Sequence, residues 1–108
     1  LKCIAIALGL KPNDEIIVPR RSWIATVNAF YELGLKIKLA DIDKKRSLIS
    51  IDSIRSLISK KTKAIVIVNL NGRNSINSEI IKPFILSFIN VEKVDLLKPY
   101  FSSMLKIE

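Results

Sequence analysis

Short apolar runs separated by polar turns divide the first three quarters of the sequence into alternating helices and strands. Segments 15–18 and 36–40 are predicted strands, because the first is rich in β-branched residues between two prolines and the second alternates polar with apolar positions. Segment 64–68 is apolar at every position, which is typical of a strand covered on both faces of a parallel sheet.

Apolar positions at helical spacing precede and separate these strands. Residues 1–8 are mostly apolar and are followed by Gly9, which predicts the last turns of a buried helix and a chain that begins in mid-helix. A second helix is predicted over 23–33, with Ser22 as its N-cap and Gly34 at its C-terminal end.

A third predicted helix, capped by Ser50 or Asp52, carries its apolar residues on one face over 54–58. The resulting order of helices and strands predicts an α/β fold with a mainly parallel sheet and flanking helices, since each parallel crossover requires a helix to return the chain. Ligands of such sheets bind beyond the carboxyl ends of the strands. The candidate ligand-binding segments are therefore 19–23, 41–43 and 69–73.

Length and composition limit the function classes. With 108 residues the chain is one domain or part of one. Cys3 is the only cysteine and histidine is absent, so we expect no intrachain disulfide and no metal site, and a cytoplasmic location is the natural expectation. No apolar run is long enough to cross a bilayer, and no membrane partner is predicted.

A formal charge of +8 makes a nucleic-acid partner a hypothesis to be tested against the distribution of the basic residues. Basic residues cluster only at 44–46 and 60–63, and neither cluster is interleaved with the aromatic residues that stack on bases. The general richness in Lys raises the isoelectric point without creating a binding face, so no nucleic-acid partner is predicted.

Four segments in order resemble the DegT/DnrJ/EryC1/StrS family of sugar aminotransferases and dehydratases. They are ALGLKPNDEIIVP at 7–19, SWIATVNAFYELG at 22–34, KLADID at 38–43 and TKAIVIVNLNGR at 62–73. The resemblance covers about three quarters of the chain and implies part of a fold type I large domain that binds pyridoxal phosphate (PLP). Such enzymes transfer an amino group from an amino acid, usually glutamate, to a nucleotide-linked keto sugar for amino sugars and surface glycans, and commonly form homodimers.

Two positions correspond to cofactor-binding positions of the family. Trp23 stands where the family has an aromatic side chain that stacks on the pyridine ring, and Asn69 stands where related sequences often have histidine. The alternatives are that Trp23 is an ordinary core or interface aromatic residue and that Asn69 only turns the chain.

Other polar residues near the strand ends have simpler interpretations than catalysis. Asp41 and Asp43 are adjacent but one, so they face different ways and are predicted to form a capped turn with solvated carboxylates. Arg20 and Arg21 are candidates for bidentate binding of a phosphate or carboxylate, although a solvated or interface pair is more common.

The sequence departs from the family after residue 82. We therefore expect a partial cofactor-binding domain over 1–82 and a divergent, helical tail over 83–108. Nothing in the tail resembles the segment with the family's Schiff-base lysine, and no catalytic residue is assigned. The expected protein is a fragment that is inactive alone, from an aminotransferase or, as in a few relatives, a dehydratase. The alternative is a non-catalytic α/β binding or interaction module.

Overall fold

Three helices alternate with three strands along residues 1–73 and 75, the part of the chain described by the structure, which is a computed structural model. The elements are α1 (Lys2–Ala7), β1 (Glu15–Pro19), α2 (Ile24–Tyr31), β2 (Lys36–Ala40), α3 (Ile51–Leu57), β3 (Thr62–Ile65) and a short 3-10 turn (Leu70–Gly72). The proposed boundary at residue 82 and the tail over 83–108 lie outside the described residues.

The strands form one parallel sheet in the order β2-β1-β3. Ile17 of β1 pairs with Lys38 of β2 and with Ile65 of β3, and the amide of Val66 continues the ladder with a 2.8 Å hydrogen bond to the carbonyl of Ile17. This arrangement confirms the predicted α/β fold with a parallel sheet.

Side-chain alternation along β1 separates two faces of the sheet. On one face Ile16 and Val18 pack with Ala5 of α1, Phe30 of α2 and Leu35 in a single core cluster. Ile17, which is fully buried, points to the other face, where α3 packs on β2. Helices therefore lie on both sides of the described sheet, with α1 and α2 on one face and α3 on the other.

The prediction that segment 64–68 is covered on both faces is wrong for the described residues. β3 begins two residues before the predicted start, at Thr62, and all five side chains of 64–68 are half-buried. Ala64 and Val66 pack against the core cluster, whereas α3 packs on β2, and Ile65 and Ile67 on the opposite face are only half-buried.

The prediction of a buried first helix is also wrong. In α1 only Ala5 is buried, whereas Ile4 and Ile6 are 58% and 62% exposed. An open apolar groove of about 170 Å³ lies beside α1 and is lined by residues of α1, β1 and β3, such as Ile4, Ile16 and Ala64. Helical periodicity alone does not distinguish a covered apolar helix from an uncovered one.

The helices end as the glycines predict. After α2, Gly34 has a φ of +73° and donates its N–H to the carbonyl of Tyr31, while the next residue, Leu35, donates to Phe30 at 3.3 Å. This pair of bonds is a Schellman motif, in which glycine adopts a left-handed conformation that a side chain would strain. Gly9 has the same role after α1, with a φ of +68°.

The helix starts were predicted less well. Ser22 does not cap α2, because the N-cap residue is Trp23, which makes no side-chain capping bond. Of the two candidates before α3, Ser50 is the cap, and its hydroxyl accepts a 3.4 Å hydrogen bond from the amide of Ser53.

A charged cluster, the Glu15 cluster, joins the start of β1 to β2 and to the end of α3. The carboxylate of Glu15 is 14% exposed and accepts from the Lys38 ammonium at 2.7 Å and from the Ser59 hydroxyl at 2.5 Å. Lys38 also donates to the carbonyl of Leu57 at 3.0 Å. The hydrogen bonds from Lys38 and Ser59 hold the pKa of Glu15 below its ordinary value of 4.5, and the bond from Lys38 has the larger effect.

Replacing Ile17 by alanine should destabilise the fold far more than the same change at Ile24. Ile17 is 0% exposed and Ile24 is 65% exposed. Loss of a fully buried isoleucine should reduce the free energy of unfolding by about 2–5 kcal/mol, whereas the exposed site should change it by less than about 0.5 kcal/mol. Urea unfolding followed by circular dichroism measures both, and equal losses would contradict the central position of β1.

The Glu15 cluster should make stability depend on pH. Because the folded pKa of Glu15 lies below 4.5, its contribution is fully present above that value and is lost as the pH falls through the folded pKa. Glu15→Gln should therefore be less stable than the wild type at neutral pH, with the difference shrinking on acidification. Unfolding curves at several pH values test this, with Asp52→Asn, whose side chain is 95% exposed, as the matched control.

Candidate functional site

The carboxyl ends of the three parallel strands lie at one edge of the sheet, here called the carboxyl rim. Three loops form it, at 20–23 after β1, 41–50 after β2 and 69–73 after β3. An ion pair of 3.5 Å between the Arg20 guanidinium and the Asp41 carboxylate joins the first two loops. The predicted site segments are thus brought to one edge of the sheet.

Trp23 lies on the carboxyl rim at the start of α2, four residues beyond the end of β1. Its extended backbone, with φ −68° and ψ 139°, turns the chain from the loop into the helix. The side chain is 76% exposed, so within the described residues it is not a core aromatic residue. A flat apolar ring is therefore accessible at the edge where parallel sheets bind ligands.

Asn69 follows β3 on the same rim, and its side chain takes part in the local turn. Its amide oxygen accepts a 2.9 Å hydrogen bond from the amide of Ser75, whose hydroxyl donates to the carbonyl of Val68 at 2.7 Å. Asn69 is exposed, and its amide NH2 group is the part left to donate to a ligand. A cofactor-binding role for Asn69 stays a prediction, as it does for Trp23.

The two carboxylates after β2 hold different partners and do not form a catalytic pair. Asp41 is paired with Arg20, whereas Asp43 accepts from the backbone amides of Lys45 and Arg46 at 2.8 and 2.9 Å. These hydrogen bonds hold the pKa of Asp43 below its ordinary value of 3.8, and the bond from Arg46 has the larger effect. This is the capped turn that the sequence predicts.

Sequence reasoning missed two contacts that shape the rim. The Arg73 guanidinium donates a 2.9 Å hydrogen bond to the carbonyl of Arg46, and an antiparallel bridge between Ile42 and Ile49 closes the loop between them. Local sequence patterns predict neither contact. Arg73 and Arg46 are 27 residues apart, and Ile42 and Ile49 lie at the two ends of an irregular loop.

Among residues 1–73 and 75, no group of three or more His, Cys, Asp or Glu side chains is placed to hold a metal ion. No helix in this part of the chain has the length and apolar character needed to span a membrane.

Comparison with known proteins identifies relatives of the chain. The sequence profile of the DegT/DnrJ/EryC1/StrS aminotransferase family matches residues 1–82. The GDP-4-keto-6-deoxy-D-mannose 3-dehydratase of Yersinia pseudotuberculosis is 47% identical over 62 residues, which are 57% of this chain and 16% of that protein.

Solved structures share the fold. NtdA from Bacillus subtilis was solved with bound cofactor PMP. It superposes with a TM-score of 0.73 and a sequence identity of 32%, over 82% of this chain and 20% of the NtdA chain. Spr1654 from Streptococcus pneumoniae is described as a sugar aminotransferase and was solved in its PLP form. It superposes with a TM-score of 0.71 and a sequence identity of 26%, over 76% of this chain and 21% of the Spr1654 chain. The predicted fold class is confirmed.

The matched part of the chain spans between 16% and 21% of the length of each of these relatives. The family profile nevertheless covers well over half of its residues and includes all four segments on which the resemblance was based. The chain therefore belongs to the DegT/DnrJ/EryC1/StrS aminotransferase family.

Proposed function

We propose that this chain forms part of the cofactor site of a PLP-dependent enzyme that modifies a nucleotide-linked keto sugar. The observation that carries the proposal is the position of Trp23. A large aromatic side chain lies 76% exposed at the carboxyl rim, in a family whose solved members include PLP and PMP forms.

The residues of the rim fit such a cofactor. Burying an exposed aromatic side chain against a flat ring removes apolar surface from water and adds a stacking interaction of about 0.5–1.5 kcal/mol. The amide NH2 of Asn69 is suited to donate to a polar substituent of the ring, since the amide oxygen is already engaged by Ser75.

Each rim residue has a limited task in this proposal. When bound, PLP supplies the electron sink that the reaction requires. Trp23 fixes the plane of the ring and thereby the bond that is aligned for cleavage. The buried strand β1 holds the loop at 20–23, and the amide of Arg20 anchors it to the carbonyl of Ala40 at 2.8 Å.

The reaction we propose is amino transfer, with an amino acid, most simply glutamate, as donor and a nucleotide-linked keto sugar as acceptor. A second candidate is dehydration of such a sugar. One observation favours it: among the solved structures, a GDP-4-keto-6-deoxymannose-3-dehydratase is 37% identical over 78% of this chain, compared with 32% for NtdA and 26% for Spr1654. Both reactions use the same ring-stacking position.

We further propose that the 108 residues alone do not catalyse either reaction and that the complete enzyme is a cytoplasmic homodimer. Nine lysines lie in the described part, and all are exposed except Lys38, which is ion-paired with Glu15. A nucleophilic lysine requires desolvation or a cationic neighbour in a pocket. The exposed free thiol of Cys3 agrees with a reducing compartment.

Trp23 is the only tryptophan, so the fluorescence of the chain reports directly on the proposed stacking position. Pyridoxamine phosphate, which does not react with lysine amino groups, should quench this fluorescence in a saturable manner. By calorimetry, Trp23→Ala should weaken binding of the same probe about two- to tenfold and Trp23→Phe by less, because phenylalanine keeps an aromatic face.

Tyr31→Ala is the matched control, since Tyr31 is also exposed, at 71%, but lies at the far end of α2. Its affinity for pyridoxamine phosphate should equal that of the wild type. Quenching that does not saturate, or an equal loss in Tyr31→Ala, would remove Trp23 from the proposed site.

Reduction with borohydride tests the proposed inactivity. After incubation of the chain with PLP, mass spectrometry should find partial modification spread over several exposed lysines, because eight of the nine described lysines are exposed and Lys38 is ion-paired with Glu15. No amino group should be transferred from glutamate. Stoichiometric modification of one lysine would refute the proposal that the chain alone is inactive.

A further inference from the structure

Cationic side chains are concentrated on the carboxyl rim. The loops at 20–23, 41–50 and 69–73 carry six of them and only two carboxylates, Asp41 and Asp43. Asp41 pairs with Arg20 at 3.5 Å and Asp43 with Arg46 at 3.8 Å. Within residues 1–73 and 75 the remaining four cations form no ion pair: Arg21, Lys44, Lys45 and Arg73.

Three of these four cations lie on two loops that the structure joins. The side chain of Arg73 reaches the carbonyl of Arg46 although their strands, β3 and β2, are not neighbours in the sheet. This contact brings the Arg73 guanidinium to the loop that carries Lys44 and Lys45, and all of these residues are exposed. Positive charge therefore accumulates on one side of the rim.

The loop of Lys44 and Lys45 has a defined shape. The bridge between Ile42 and Ile49 closes its base, and the Asp43 carboxylate binds the amides of Lys45 and Arg46 inside it. With its backbone fixed, the loop loses less conformational entropy when a ligand engages its side chains than a disordered loop would.

We propose that Arg73, together with Lys44 and Lys45, binds the diphosphate group of a nucleoside diphosphate. A guanidinium has five N–H donors, and one bond to Arg46 leaves others for bidentate contact with phosphate oxygens. The lysines supply further charge. This inference rests on the proposed function, in which the sugar substrate is nucleotide-linked, and it assigns the residues that hold its phosphates.

Two different roles for these cations fit the contacts less well. A purely structural role for Arg73 accounts for its bond to Arg46 but not for Lys44 and Lys45, which form no ion pair with another described residue. A nucleic-acid polymer shares the phosphate chemistry, but the three loops contain one aromatic residue, Trp23, and no series of rings on which successive bases stack.

Calorimetric titration with GDP, pyrophosphate and guanosine tests the proposal on the 108-residue chain without PLP. GDP and pyrophosphate should bind and guanosine should not. Arg73→Ala should weaken the binding of GDP by at least about tenfold, since a hydrogen bond to a charged group is lost. Raising the salt concentration should weaken the wild-type interaction through screening.

Matched variants separate the binding role of Arg73 from its structural one. Lys45→Ala, whose side chain contributes to no described hydrogen bond or ion pair, should also weaken GDP binding. Lys63→Ala removes an exposed charge near the opposite edge of the sheet, on β3, and should leave GDP binding unchanged. Thermal unfolding identifies any variant that has lost its fold, and Arg73→Lys tests whether charge without the planar fork suffices.

Wild-type affinity for GDP in folded Arg73→Ala and Lys45→Ala would overturn the inference, as would equal weakening by Lys63→Ala. Tighter and equally Arg73-dependent binding of a single-stranded oligonucleotide would assign the cluster to a polymer instead. Failure of GDP to bind while pyridoxamine phosphate still quenches Trp23 would refute this site and leave the proposed cofactor position intact. Binding of GDP without saturable quenching of Trp23 by pyridoxamine phosphate would refute the proposed cofactor position and leave the diphosphate site intact.

Discussion

Parallel pairing of β1 with a strand on each side is the constraint on which the rest of the structure depends. Parallel neighbours cannot be joined by a tight turn, so each connection must cross a face of the sheet, and here each contains a helix. The same geometry brings all three carboxyl ends to one edge. Trp23, Asp41 and Asn69, which are far apart in the sequence, therefore belong to a single rim.

The two edges of the sheet have different chemistry. Near the amino end of β1, the Glu15 cluster joins two strands and the end of α3 through short, partly buried bonds. At the carboxyl rim, the side chains that point outward are exposed and are held by few tertiary contacts, of which the bond from Arg73 to Arg46 is one. The amino end of the sheet is thus the more tightly bonded one, and the carboxyl rim is where ligand binding is proposed.

Features that depend on local backbone chemistry could be predicted from the sequence. The strands and helices, the glycines that end α1 and α2, and the turn at Asp43 follow from residue types within a few positions of one another. The burial of α1 and of segment 64–68 could not be predicted, because it depends on which elements lie over them. The N-caps illustrate the same limit: Ser22 and Ser50 are both plausible caps, and only the backbone geometry selects the second. The positions of Trp23 and Asn69 at the carboxyl ends of strands could be predicted from the order of helices and strands, and their cofactor-binding roles stay predictions from the family resemblance. The link from Arg73 to Arg46 could not be predicted.

The uncovered apolar face of α1 gives the chain a particular behaviour in solution. Ile4, Ile6 and Leu8 are each more than half exposed, and such patches attract one another in water. The formal charge of +8 opposes this attraction by keeping copies of the chain apart. At about 1 M salt the Debye length falls to about 3 Å, and the electrostatic repulsion no longer reaches across the gap between molecules. Colloidal stability should therefore be highest in dilute electrolyte, and kosmotropic salts should precipitate the chain readily.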